Sequence, residues 1–131
     1  MTAHYTVYTD GSSTGTIGKA GCAAIIITGN SGYLIAKPLT FECGNNVAEL
    51  AAIYLALQEL PTKANVVIYT DSNNAIQWLT DNFRRNNPQI DMLYRKIKGI
   101  WKDRELTILF RWVKGHSKHK YNNMCDLAAK E

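Results

Sequence analysis

The fold class this sequence predicts is α/β: a five-stranded mixed sheet, three antiparallel strands followed by parallel βα units, flanked by helices. Three observations predict it. "HYTVYTDGSS" (4–13) alternates at the period of a strand as far as Asp10 and then breaks off, with Tyr5, Val7 and Thr9 on one side and Thr6, Tyr8 and Asp10 on the other. Between 46 and 60 the apolar residues switch to helical spacing. After that, "NVVIYTD" (65–71) is a short, continuous apolar run of the kind a strand covered on both faces shows.

The elements follow in order. A first strand spans 4–10 and ends in an acid, and a Gly/Ser/Thr loop occupies 11–19. "AGCAAIIIT" (20–28) is the second strand, "GNSG" (29–32) a turn, and "YLIAKPLTFE" (33–42) the partner strand. Asn30 and the flanking glycines are suited to the positive φ of a tight hairpin. In the helix from 46 to 60, Val47, Leu50, Ala51, Tyr54 and Leu57 share a face while Ile53 and Leu55 fill its flanks, so it is apolar around most of its circumference. Pro61 is its stop signal. Strand 65–71 comes next, then a helix at 73–83, a break at "NNP" (86–88) and a second helix at 89–103. "LTILFRWV" (106–113) is the last strand, "KGHSKHKY" a basic loop, and 122–130 a closing helix. No linker or repeat divides the chain, so residues 1–131 read as one domain.

Composition narrows the function classes. At 131 residues and 46% hydrophobic the chain can bury a sizeable core, and its longest apolar stretches are too short to cross a bilayer. The N-terminus lacks a charged-then-apolar leader. Cys22, Cys43 and Cys125 are odd in number and far apart, with no C-x-x-C pair, which argues against a disulfide framework and a zinc site. Small thiols in a reducing compartment, the cytoplasm, are the expectation. Eleven of the fifteen Lys and Arg fall between 84 and 120 with only three acids, whereas acids predominate elsewhere. That asymmetry suits a polyanion binder with a metal site, and it equally suits a solvated helix face.

The acids carry the chemistry. Asp10 and Asp71 each close an apolar strand, at the sheet edge where α/β proteins gather ligands. Glu49 stands on the first turns of the most apolar helix, and Asp126 opens a helix behind Met124 and Cys125. A helix cap explains Asp126 taken alone. Four acids in apolar surroundings are costly unless a cation holds them, and no Lys or Arg neighbours Asp10, Glu49 or Asp71 in sequence. Carboxylates without cysteine select hard ions, Mg²⁺ or Mn²⁺. His116, after Gly115 in the basic loop, is a candidate proton carrier over such a site. Other motifs fail. "GKA" at 18–20 lacks the glycine and hydroxyl residue of a P-loop, and Ser12, Ser72 and Ser117 have no histidine arranged to make a nucleophile.

"YTDGSS" (8–13), "NNVAELAAIYLAL" (45–57), "YTDS" (69–72) and "WVKGHS" followed by "NNMCD" (112–126) together resemble the type 1 ribonuclease H family, in order and spacing, over nearly the whole chain. "ELAAIYLALQ" is also similar to the ribonuclease H domains of retroviral reverse transcriptases. The resemblance implies a ribonuclease H-like fold and an endonuclease acting on the RNA strand of RNA–DNA hybrids. It implies the metal ligands Asp10, Glu49, Asp71 and Asp126, with His116 completing the catalytic set. Two Mg²⁺ ions roughly 4 Å apart, with Mn²⁺ as a substitute, would act on the scissile phosphate and leave 5′-phosphate and 3′-hydroxyl ends. It places Gly11, Ser12, Ser13, Asn46 and Glu49 on the RNA side and Asn45, Asn46 and Ser72 nearer the DNA strand; helix capping is the structural alternative for the Asn pair.

Departures from the family pattern bear on substrate binding. The stretch from 78 to 103 is short, without the basic, Trp-rich insertion many members carry, and Phe83, Arg84 and Arg85 are candidates to replace part of its grip. Gly44 stands where a phosphate-contacting threonine is usual, and "CDLAAK" lacks the usual residue before Leu127. No obligate protein partner is implied, so a monomer is expected. A noncatalytic hybrid-binding module and a DNA nuclease of the same superfamily are the competing readings. Intact carboxylates argue against the first, and the "GH…CD" ending against the second.

Overall fold

A computed structural model describes residues 3–14, 18–80 and 87–114. Its strands and helices follow in the order β1 (His4–Ser13), β2 (Ala20–Thr28), β3 (Ser31–Pro38), α1 (Asn45–Leu57), β4 (Asn65–Thr70), α2 (Asn73–Thr80), α3 (Pro88–Asp103) and β5 (Thr107–Trp112). The sheet order is β3-β2-β1-β4-β5, with β1 antiparallel to β2 and parallel to β4. The predicted five-stranded mixed sheet is therefore present. The closing helix expected at 122–130 lies outside the described residues, as do 81–83 of the helix expected at 73–83.

Local chemistry sets the boundaries. The hairpin between β2 and β3 is tighter than the expected four-residue turn: Thr28 pairs with Ser31, leaving two residues to turn. Gly29 alone of them takes a positive φ, 57°. β3 ends at Pro38, and a last bond from Leu39 N–H to Ala20 O at 2.9 Å closes its pairing with β2. α1 is three residues shorter at its C-terminus than expected because residues 58–60 tighten into i→i−3 bonds, Glu59 N–H to Ala56 O and Leu60 N–H to Leu57 O. Arg104 Nη1 donates to the carbonyls of Leu57, Gln58 and Leu60 at 3.1, 2.7 and 2.8 Å, the first of which also accepts the Leu60 N–H. α3 starts where Asn87 Oδ1 accepts the Gln89 and Ile90 N–H groups, with Pro88 at the first helical position.

The core lies between α1, α3 and one face of the sheet. Nine residues of α1 are buried, as its all-round apolar pattern predicts, and Leu50, Ile53 and Leu57 are fully enclosed. Each such side chain contributes about 1.5–3 kcal/mol. On the opposite sheet face a smaller cluster joins Tyr8, Ala23 and Ile25, with Tyr8 stacked on Tyr69 at 4.9 Å. The expectation that β4 is covered on both faces needs correction. Val66, Ile68 and Thr70 are buried, but Asn65, Val67 and Tyr69 are half-buried, so its burial alternates. Among the described residues no helix is long and apolar enough to cross a membrane. Cys22 and Cys43 are buried free thiols, and burial pushes Cys22 up to about 11.

Candidate active site

β1 does not end at Asp10. It runs three residues further, Gly11, Ser12 and Ser13 pairing with Cys22, Gly21 and Ala20 of β2. What ends near Asp10 is the pairing on the other side: the last parallel pair with β4 is Tyr8 with Tyr69. Carried on by two residues, that register sets Asp10 level with Asp71. Both acids thus lie at the carboxyl ends of adjacent parallel strands, where the strand order reverses, and the chain is open to ligands there. Asp10 is only 2% exposed.

Glu49 reaches this edge because α1 presses unusually close to β1. A Cβ on Gly11 would stand 2.1 Å from the Ala48 carbonyl carbon, 2.2 Å from its oxygen and 2.4 Å from the Glu49 nitrogen. Only glycine allows that approach. Asn45 ties the same two elements together, its Oδ1 accepting the Ser13 N–H at 2.8 Å and the Ser13 hydroxyl at 3.0 Å. The cap position of α1 belongs to Gly44, which makes no side-chain cap bond, so helix capping does not account for Asn45 and Asn46.

Asp71 occupies the two-residue link from β4 to α2. The link is pinned by Ser72 N–H on Thr70 Oγ1 (3.1 Å), by Val113 N–H on Thr70 O (2.9 Å) and by Trp112 Nε1–H on Asp71 O (3.2 Å). Ser72 Oγ in turn caps α2 by accepting the Ala75 N–H at 3.1 Å.

Three elements therefore bring three carboxylates together, and one oxygen from each of Asp10, Glu49 and Asp71 lies within 4.8 Å of the others. Burial above all, then the charges of Asp10 and Asp71 and a hydrogen bond with Asp10, holds Glu49 well above the ordinary carboxylate range; the Gly11 backbone opposes this. Glu49 Oε2 is buried with no hydrogen-bond partner among the described residues. An all-oxygen donor set of clustered like charges with an orphaned buried oxygen fits a hard divalent cation. Asp126 and His116 lie outside the described residues.

A cavity of about 280 Å³ opens beside Glu49 and Asp71, lined also by Asn45, Asn46, Ser72, Asn73 and Asn74. Asn74 Nδ2 donates to Asn46 Oδ1 at 3.4 Å. Asn73 and Asn74 were not among the expected site residues. Their signal is a second Asn pair at a helix start directly after an acid-ended strand, as Asn45 and Asn46 stand before Glu49. Ser12 and Ser13 are half-buried on the β2-paired end of β1, whereas Gly11 is buried and packed on α1. Phe83, Arg84 and Arg85 lie outside the described residues.

Part of the basic segment serves the fold. Arg104 closes α1, Lys98 Nζ donates to Leu79 O near the end of α2 at 2.7 Å, and Arg95 pairs with Asp91 at 2.9 Å. Lys96 and Lys102 on α3 stay exposed.

The RNase H family model matches residues 2–131. The ribonuclease H of Chlorobium luteolum is 35% identical over 148 aligned positions, spanning all of this chain and 96% of its own length. Among solved structures, the N-terminal RNase H domain of a Mycobacterium tuberculosis protein superposes with a TM-score of 0.82 at 20% identity, covering 98% of this chain and 92% of that one. LC11 ribonuclease H1, solved in complex with an RNA/DNA hybrid, gives 0.81 at 21% identity and covers 96% of each chain. The likeness to these two shows the fold. Matched by the family model from residue 2 to residue 131 and aligned with a curated member along its whole length, the chain belongs to the ribonuclease H family of nucleases.

Proposed function

We propose that this chain is an endonuclease that hydrolyses the RNA strand of RNA–DNA hybrids, leaving 5′-phosphate and 3′-hydroxyl ends. Asp10, Glu49, Asp71 and Asp126 would hold two divalent cations, Mg²⁺ ordinarily and Mn²⁺ as a substitute. When bound, such ions neutralise phosphate charge and lower the pKa of a coordinated water. The observation that carries this reading is the meeting of Asp10, Glu49 and Asp71 within 4.8 Å beside an asparagine-lined cavity. Family membership and the hybrid bound by LC11 ribonuclease H1 support the substrate.

The chain's own residues do the rest. The close approach at Gly11 keeps Glu49 beside Asp10, and the pinned link holds Asp71 opposite. Asn45 and Asn46 use their carbonyl oxygens inside the protein, on Ser13 and Asn74, which leaves their amide N–H groups as the donors they offer to substrate. Donors at the cavity suit the acceptor atoms of sugars and minor-groove base edges, which vary little with sequence. Asn73 and Ser72 border the same space, and Ser12 and Ser13 lie at the end of β1 for the RNA strand. His116 moves a proton during turnover or product release. Phe83, Arg84 and Arg85 grip the DNA strand. Residues 1–131 act as one domain, as a monomer in the cytoplasm.

One experiment tests the reading. Labelled RNA–DNA hybrid, duplex RNA and duplex DNA are each incubated with the protein in Mg²⁺, in chelator, and with Asp71→Asn in Mg²⁺. Cleavage of the hybrid's RNA strand alone, lost in the second and third arms, is expected. Cleavage in chelator, or of duplex DNA, would overturn it.

A further inference from the structure

The three clustered acids differ in how their backbones are held. Asp10 lies within a strand and is paired to Ala23 of β2, and Glu49 lies within the body of α1. Asp71 lies outside both ladder and helix, on the link between β4 and α2, and it is the least buried of the three. Such a link is the weakest place from which to aim a carboxylate, because neither a ladder nor a helix fixes its peptide planes.

Trp112 addresses that weakness. It ends the edge strand β5, paired with Thr70, and the residue is 52% exposed. A single exposed Trp is unremarkable by itself. Its one polar atom, however, points inward: Nε1–H donates to the carbonyl oxygen of Asp71 at 3.2 Å. One residue on, Val113 N–H donates to Thr70 O at 2.9 Å. The last residue of β5 and the one after it thus hold consecutive carbonyls on either side of the Asp71 Cα, one through the indole and one through the backbone.

We infer that Trp112 is a positioning residue whose indole N–H fixes the Asp71 peptide and thereby aims the Asp71 carboxylate into the acidic cluster. The inference rests on the reading of Asp71 as a metal ligand. The chemistry separates it from the other use of an exposed indole, stacking on a nucleobase. Phenylalanine keeps a stacking ring and loses the donor; alanine loses both.

The test titrates the full chain with Mg²⁺ alone by calorimetry, comparing wild type, Trp112→Phe, Trp112→Ala and Asp71→Asn, and measures hybrid cleavage over a range of Mg²⁺ concentrations. Both Trp112 variants are expected to bind Mg²⁺ about three- to tenfold more weakly, the scale of one lost hydrogen bond. Melting temperature in chelator falls in Trp112→Phe by no more than the few degrees that one lost hydrogen bond costs. In Trp112→Phe, kcat at limiting Mg²⁺ falls by the same factor and recovers at high Mg²⁺, while KM for the hybrid is unchanged. Wild-type Mg²⁺ affinity in Trp112→Phe, with affinity lost in Asp71→Asn, would overturn the inference and leave the metal reading standing. A raised KM in Trp112→Ala with Mg²⁺ affinity intact in both variants would overturn it in favour of stacking. Unchanged Mg²⁺ affinity in Asp71→Asn would remove the metal reading and the inference with it.

Discussion

A methyl group at position 11 has nowhere to go. The three atoms it would meet, at 2.1, 2.2 and 2.4 Å, all belong to the backbone of α1, so no side-chain rotation relieves the clash. Reaching an ordinary contact near 3.4 Å requires strand and helix to separate by about 1 Å. α1 resists because Leu50, Ile53 and Leu57 are fully enclosed, Arg104 holds its C-terminal carbonyls and Asn45 ties its start to Ser13. Overpacking of this kind costs roughly 1–3 kcal/mol, a large part of a stability of about 5–15 kcal/mol. The same shift carries Glu49 away from Asp10, and a displacement of about 1 Å in a catalytic constellation costs on the order of 10²-fold in rate. Gly11→Ala is therefore expected to lower urea-unfolding stability and kcat together. Adding Ala48→Gly should not rescue it, because the clash is with the Ala48 backbone. Urea titration and steady-state cleavage of a labelled hybrid measure the two effects. Stability within about 0.5 kcal/mol of wild type with unchanged kcat would refute the packing argument, and a raised KM alone would make Gly11 a substrate contact.

The other predictions concern charge. Because the folded protein holds Glu49 above its ordinary value of 4.5, the stability this group contributes is full below that pH and is lost as pH rises through its raised folded value. Chelator-treated wild type should accordingly lose stability over that window relative to Glu49→Gln, and thermal melts in which the two proteins track each other would contradict it. Arg104→Ala should cost about 1–3 kcal/mol by leaving the Gln58 and Leu60 carbonyls without their Arg104 donor, yet leave the salt dependence of hybrid binding unaltered, as a titration in Ca²⁺ would check. Replacing Arg84 and Arg85 together should instead lower the slope of log affinity against log salt by about two units if both touch phosphate; an unchanged slope moves the DNA-strand contact elsewhere. His116→Ala should slow turnover by roughly 10²-fold or less without weakening Mg²⁺ affinity, and a calorimetric loss of affinity would make His116 a ligand.

Much of the fold was legible because periodicity reports burial. The alternation of 4–10 and the helical spacing of 46–60 placed β1 and α1, and the break at "NNP" (86–88) placed the start of α3 to within one residue. Strand continuation past Asp10 was not legible, since "GSS" has the composition of a loop; its pairing depends on β2, whose register no local pattern carries. The half-burial of β4's second face also depends on distant elements. Among site residues, Asp10, Glu49 and Asp71 stood out because ionised groups in apolar runs demand an explanation. Asn73 and Asn74 did not, since polar pairs at helix starts usually cap. The cations were the least legible. Net charge does not distinguish Arg104, aimed at three carbonyls 44 to 47 residues away, from the exposed Lys102.

The cluster opposes folding, and its place in the molecule explains how it persists. Each of the three acids is delivered by an element whose stability lies elsewhere: β1 by pairing on both sides, α1 by its nearly continuous buried surface, and Asp71 by a link fastened to β5. The repulsion among them is therefore carried by contacts that none of the carboxylates makes. Neutralising one acid relaxes the site without loosening those contacts, so Asp10→Asn or Asp71→Asn should keep the fold and raise the melting temperature in chelator. A bound divalent cation supplies the missing countercharge, so in saturating Mg²⁺ the order should reverse, wild type melting above either variant. The crossover depends on the acids being both the source of the strain and the ligands that relieve it. Melting curves that stay in one order with and without Mg²⁺ would separate those two properties and show the cluster to be an electrostatic feature without a metal function.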